Sequence, residues 1–88
     1  MKKQLRLIGG RRIESPIGQL VRPTTSIVRE AVMNILNKHI NNSNWLDLYS
    51  GSGVIGCEAI ERGAKSVLAI EQNKRVYKIC LSNLSKIA

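Results

Sequence analysis

Two short apolar runs, residues 45–49 (WLDLY) and 66–70 (SVLAI), bracket a glycine-punctuated stretch of helix length, and this arrangement restricts the fold most. The first run passes directly into S-G-S-G-V-I-G, and residues 54–62 then read as a helix stopping at Gly63, a residue suited to the C′ position. The second run has the continuous apolar character of a strand covered on both faces. A strand, a crossover helix and a second strand imply parallel pairing. A further helix follows, capped by Asn73, with Val76, Ile79, Cys80, Leu84 and Ile87 along its apolar side. The expected class is α/β, consisting of the first βαβα of a parallel sheet. Two parallel strands leave unpaired edges, and such sheets ordinarily have more strands and helices on both faces. Residues 24–88 are therefore expected to be the N-terminal part of a larger, truncated domain.

Upstream, residues 4–14 (QLRLIGGRRIE) suggest two strands joined by a two-residue turn at Gly9-Gly10, where glycine supplies positive φ. One face of that hairpin would carry Arg6, Arg11 and Arg12. Residues 15–23 read as a loop containing Pro16, Gly18 and Pro23, so residues 1–23 form a basic hairpin-and-loop unit. Thr24, Thr25 and Ser26 are candidate N-caps for the next helix. Its apolar pairs Ile27/Val28, Ala31/Val32 and Ile35/Leu36 recur every four residues and predict a buried stripe, ending near His39-Ile40.

Charge narrows the partners. The chain has 14 Lys and Arg against 6 Asp and Glu, a net +8, and residues 1–30 alone hold seven bases and two acids. A basic front end suits a polyanion, although charge alone serves equally as a solubilising surface. Cys57 and Cys80 lack metal-ligand spacing and read as buried free thiols of a reducing compartment; no metal is expected. The basic start lacks a signal-peptide core, and no apolar run approaches membrane-spanning length, so a soluble cytoplasmic protein is expected.

The glycine motif carries the chemistry. Gly51, Gly53 and Gly56 stand as G-x-G-x-x-G between a strand and a helix, a turn that lets backbone approach a ligand at a helix N-terminus. Glu71, ending the second strand, can accept hydrogen bonds from both hydroxyls of a ribose. Asp47 lies four residues before Gly51, and a fixed negative charge there is poorly matched to a dinucleotide's pyrophosphate. It suits a ligand with positive charge. S-Adenosylmethionine, with its sulfonium and α-amino groups, is favoured over NAD.

LDLYSGSGVIG (46–56) resembles motif I of the class I S-adenosylmethionine-dependent methyltransferases, which have a Rossmann-like fold. It departs from the commonest form in carrying Tyr49 where a glycine usually stands, as in the subgroup that methylates exocyclic amines of nucleobases. RLIGG (6–10) and SPIGQLVRPTTSIVREAVMNIL (15–36), with R-P-T followed by V-R-E-A, resemble the bacterial 16S ribosomal RNA guanine-N2 methyltransferases across nearly the whole chain. The loop after Gly9-Gly10 is shorter than in that family.

The resemblance implies that Asp47, Tyr49, Ser50, Gly51 and Gly53 form the methionine side of a cofactor pocket. Glu71 would hold the ribose and Gln72 would border the adenine. Arg6, Arg11 and Arg12 would contact RNA phosphates, and Arg22, Thr24 and Arg29 would face cofactor or RNA. For Arg29, an ordinary solvated helix face is the competing reading. The implied partner is small-subunit ribosomal RNA. The family's Asn- or Asp-Pro-Pro-aromatic catalytic loop is missing, since the two prolines, Pro16 and Pro23, are not adjacent. The isolated chain is expected to be inactive. The alternatives are a non-catalytic RNA-binding remnant and, less favoured, an NAD-binding Rossmann fragment.

Overall fold

The computed structural model describes residues 3–15, 25–48 and 50–88, Lys3 in its backbone only. The loop expected at 15–23 falls almost entirely outside these residues. An antiparallel hairpin comes first, β1 (Lys3–Arg6) against β2 (Arg12–Ser15), with Arg6 opposite Arg12 and Leu5 opposite Ile13. Its turn differs from the expected two-residue form. Gly10 N–H donates to Leu7 O and Leu7 N–H to Arg11 O, both at 2.8 Å, and Gly10 alone of the pair takes positive φ, 101°. This is the three-residue connection Ile8-Gly9-Gly10, a tight turn closed by one left-handed residue, which requires one glycine rather than two. Arg6 and Arg12 share the exposed face, whereas Arg11 lies in the bend and turns elsewhere.

Helix α1 (Ser26–Ile40) starts at Thr25, whose hydroxyl accepts from Val28 N–H at 3.3 Å. The predicted stripe is rotated. Arg29, Met33 and Ile40 are buried with Val32 and Leu36 beside them, while Ile27 and Ile35 are 80% and 78% exposed. The rotation brings a guanidinium inward because a buried carboxylate awaits it, as described below.

Strand β3 (Asn44–Leu48) pairs in parallel with β4 (Ser66–Ile70), in register from Asn44↔Ser66 to Leu48↔Ile70. Helix α2 (Val54–Glu61) crosses between them and closes through Gly63 N–H to Ile60 O and Ala64 N–H to Ala59 O, a Schellman arrangement. Helix α3 (Lys74–Ile87) is capped as expected, with Asn73 Oδ1 accepting from Arg75 and Val76 N–H at 3.0 and 3.1 Å. The parallel βαβ reading and the partial Rossmann-like architecture both stand.

Helix α2 is the hub of the core, because Val54, Gly56, Cys57, Glu58 and Ala59 are all buried. On one side Leu7, Ile13, Val54, Cys57 and Ile87 join hairpin, α2 and α3. On the other, Met33, Ile40 and Ala59 join α1 and α2, with Trp45 and Val67 packed from the sheet. Only one face of the sheet is covered by described residues. Leu46, Leu48, Leu68 and Ile70 on the opposite face are 58%, 58%, 62% and 48% exposed, so the expected burial of SVLAI on both faces does not hold here. Helices cover a parallel sheet from both sides in a complete α/β layer, and here they lie on one side.

Candidate functional site

Both parallel strands deliver their carboxyl ends to the glycine turn, the position where open α/β sheets bind ligands. Ser50 N–H donates to Ile70 O at 2.9 Å, tying the turn to the end of β4. Gly53 N–H donates to Ser50 O at 2.8 Å, folding residues 50–53 back on themselves. Gly51 and Gly53 have φ of 55° and 80°, so side chains would be strained at both. At Gly53 the space is closed as well, because an added Cβ would stand 2.9 Å from Cys80 Sγ. Gly53 caps α2 with no side-chain bond, and the first turn of that helix has N–H groups without intrahelical acceptors.

Two carboxylates flank the turn. Glu71 Oε1 accepts from Gly51 N–H at 3.0 Å and Oε2 from Asn73 N–H at 2.8 Å. Each oxygen keeps a second lone pair, so the carboxylate can still accept from hydroxyls. Asp47 lies on the covered face of β3, and its buried Oδ2 has no hydrogen-bond partner among the described residues. Burial pushes its carboxyl above the usual range. Both acids reach the surroundings of one thiol: Cys80 is raised first by burial and then by Asp47 and Glu71, while its 3.3 Å contact with Ser50 Oγ lowers it. Cys57, buried with it, is pushed up to about 12, chiefly by desolvation, so neither cysteine behaves as a nucleophile. Gln72 is exposed beside Glu71.

The basic residues separate into two groups. Arg6 and Arg12 are exposed and face each other across the hairpin, a like-charged pair that an anion would relieve. Arg11, despite its exposure, is used internally: its guanidinium donates to Lys86 O at 3.0 Å and Ile87 O at 3.5 Å and lies 3.8 Å from Glu61. A cation on the last carbonyls of α3 complements the helix dipole. Arg29 is neither an RNA-facing residue nor part of a solvated helix face. It is 3% exposed, sits 3.4 Å from Glu58 Oε2 and donates to Arg6 O at 2.8 Å. Arg22, Thr24 and Tyr49 lie outside the described residues.

Sequence reasoning missed Glu58 and Asn83. Glu58 is 1% exposed, and its Oε2 also accepts Ile8 N–H at 3.0 Å, so the Arg29–Glu58 pair pins the hairpin to α1 and α2. Its signal was a lone charge within V-I-G-C-E-A-I, a segment apolar or small all round its helix. Asn83 occupies the buried stripe of α3 between Cys80 and Ile87, where periodicity called for an apolar residue.

Comparison with known proteins places this geometry in a family. Residues 5–88 match the family described as Conserved hypothetical protein 95. The chain is 36% identical over 88 residues to ribosomal RNA small subunit methyltransferase D of Escherichia coli K12, covering 96% of this chain and 44% of that protein. The protein of the same name from Buchnera aphidicola of Acyrthosiphon pisum is 37% identical over 78 residues, covering 89% and 41%. The chain belongs to the family described as Conserved hypothetical protein 95, and the relatives it matches carry the name ribosomal RNA small subunit methyltransferase D.

Its structure agrees with that family. The yhhF protein of Escherichia coli superposes with a TM-score of 0.85 at 37% identity, covering 97% of this chain and 48% of that one. A Pyrococcus horikoshii protein, 20% identical with a TM-score of 0.77, shares the fold. The chain thus spans less than half the length of these methyltransferase D relatives. None of the helices in the described residues is long and apolar enough to cross a membrane.

Proposed function

We propose that this chain carries the cofactor-binding half of an S-adenosylmethionine-dependent ribosomal RNA (guanine-N2) methyltransferase acting on small-subunit RNA. The observation that carries the reading is Asp47: a buried carboxylate oxygen beside a glycine turn, with no hydrogen-bond partner among the described residues, fits a cationic ligand and not a pyrophosphate. The residues present fit S-adenosylmethionine. Asp47, Ser50, Gly51 and Gly53 line its methionine end, Glu71 takes the ribose hydroxyls, and Gln72 stands at the adenine. When bound, this cofactor supplies a methyl group on a sulfonium centre. The protein's part is placement: Glu71 is held by Gly51 and Asn73 N–H, and Ser50 is held by Ile70 O and Cys80. The exposed pair Arg6 and Arg12 engages phosphates of ribosomal RNA, giving affinity without sequence reading.

The chain alone binds without turning over, because the Pro-Pro-aromatic loop that would orient the guanine amine is not among its 88 residues. Equilibrium dialysis of the chain against S-adenosylmethionine and NADH tests the cofactor assignment. S-Adenosylmethionine is expected to be retained in preference; a preference for NADH refutes the reading and favours the dinucleotide alternative.

A further inference from the structure

Helix α3 carries four bases, Lys74, Arg75, Lys78 and Lys86, and no acid along its whole length. All four are exposed, and Lys74, Arg75 and Lys78 lie in no ion pair among the described residues. With about 3.6 residues per turn, Arg75, Lys78, Ser82 and Lys86 fall on one flank roughly 80° wide. The other flank carries Tyr77 and Leu81, 44% and 51% exposed. A solubilising surface intersperses both signs, whereas this one is one-sided and of one sign. It also costs stability. Lys74 and Arg75 occupy the first turn, where the helix dipole favours acids and none is present. Arg75 and Lys78, three residues apart, repel each other. A bound polyanion offsets both costs.

The basic flank is the one turned toward the hairpin. Beside it, the buried Asn83 holds β2: its Oδ1 accepts Glu14 N–H at 2.9 Å, and its Nδ2 donates to Glu14 O at 2.7 Å and to Ser52 O at 2.8 Å. Lys86 Nζ donates to Arg12 O at 2.6 Å, and Arg11 returns a bond to Lys86 O at 3.0 Å. Between helix and hairpin lies a groove of about 310 Å³, lined by Gln4, Arg12, Ser82 and Lys86, with Glu14 as its one acid. A second hollow over Gln4, Leu5, Arg6 and Arg12 continues it across the exposed face of the hairpin. At the opposite end, Arg75 stands two residues past Asn73, whose N–H is held by Glu71 Oε2. The flank thus runs about 16 Å, from the rim of the glycine turn to the hairpin. Leu7, Ile13 and Ile87 share one core, so hairpin and helix present this surface without rearrangement.

We propose that the basic flank of α3 is a second RNA-backbone track, continuous with Arg6 and Arg12, that leads the RNA from the hairpin to the rim of the glycine turn. Arg75, Lys78 and Lys86 contact phosphates along the backbone, and Ser82 and Gln4 donate to phosphate oxygens. Lys86 keeps two hydrogens for this after its bond to Arg12 O. The hairpin alone holds the RNA at one end of the molecule; the track sets its direction toward the turn, without reading sequence. An anionic membrane fits less well, because the apolar stripe of Val76, Cys80 and Ile87 that would enter it is already buried in the core. The inference rests on the RNA reading above.

The test is fluorescence anisotropy of a short labelled RNA stem-loop titrated with the 88-residue chain over a range of salt. Arg75→Gln with Lys78→Gln should weaken binding by about tenfold or more at low salt. The same pair should lower the slope of log K against log salt by about 1.5, the loss of two phosphate contacts. The charge-conserving exchange Arg75→Lys with Lys78→Arg should keep the slope. Lys38→Gln with Lys65→Gln removes the same charge from exposed sites off this flank and should leave the slope unchanged. Equal losses in both glutamine pairs make the effect one of net charge and overturn the track. An unaltered slope for the Arg75 and Lys78 pair overturns it too; if Arg6→Gln with Arg12→Gln still weakens binding, the hairpin reading stands without it. No binding of RNA by the unaltered chain refutes the RNA reading itself. Phosphatidylserine vesicles that compete as strongly as unlabelled RNA overturn the track in favour of a lipid surface. Melting temperatures of the glutamine variants at Arg75 and Lys78 should be unchanged or raised, since repulsion at the start of α3 is relieved. A lowered melting temperature shows these side chains holding the fold and overturns the inference.

Discussion

Arg29→Ala tests the contact that orients the hairpin on the rest of the fold. The guanidinium is 3% exposed and its partner Glu58 is 1% exposed, so truncation leaves a carboxylate in the core with Ile8 N–H as its one remaining described donor. Breaking a buried pair by removing one partner costs about 3–5 kcal/mol, far above an exposed pair at roughly 0–1 kcal/mol. A domain of this size has on the order of 4–13 kcal/mol in total. The variant should therefore sit near the edge of unfolding. Urea denaturation followed by circular dichroism reads this as a midpoint lowered by about 2–3 M, taking a slope of about 1.5 kcal/mol/M. The double variant Arg29→Met, Glu58→Leu removes both charges, and Ile8 and Arg6, each at the surface, can turn their freed backbone groups to water. It should recover most of the loss. A cost for Arg29→Ala below about 1 kcal/mol would refute the reasoning, placing the side chain in solvent.

Other perturbations address the glycine turn and the hairpin. Glu71→Ala removes the acceptor of Gly51 N–H and the proposed ribose ligand, and should weaken S-adenosylmethionine binding by about 1.5–3 kcal/mol in calorimetry; unchanged affinity removes Glu71 from the pocket. Asp47 has a raised pKa in the fold, so its contribution to stability is present below the ordinary carboxylate pKa and is lost as pH rises through the raised value. Asp47→Asn should accordingly raise the melting temperature at neutral pH, lose that advantage in acid, and weaken cofactor binding; a lowered neutral melting temperature contradicts the assignment. Charge reversal at Arg6 and Arg12 should lower RNA affinity and flatten its salt dependence without unfolding the chain, whereas reversal at Arg11 should destabilise α3, as thermal melts would show.

The parts legible in the sequence were those whose cause is local. Asn73 at the start of α3, Gly63 at the end of α2 and the alternation of apolar runs with glycine turns each act within a few residues, and all appear as expected. The placement of Asp47 and Glu71 beside the turn was legible because the end of a parallel strand fixes where its side chain lies relative to the turn. Rotation of α1 was not legible, because the apolar pairs Ile27/Val28 and Ile35/Leu36 score as a buried stripe on any local count. What turned the helix was a carboxylate at Glu58, 29 positions from Arg29 in sequence and unreadable from either helix alone. Asn83 was missed for the same reason: its partners Glu14 and Ser52 are 69 and 31 residues away. Gly9-Gly10 permits two turn types, and the register of Leu5 against Ile13 in the core chose between them.

The central claim is that the glycine turn and its two flanking acids form a methyl-donor pocket within this chain. Nuclear magnetic resonance titration of the 88-residue protein with S-adenosylmethionine tests it most directly. Saturable shifts are expected, centred on the amides of Asp47, Ser50, Gly51, Gly53 and Glu71, with weaker ones at Ser52 and Asn83. Shifts confined to the hairpin or to the open face of the sheet, or none at saturating ligand, would contradict it.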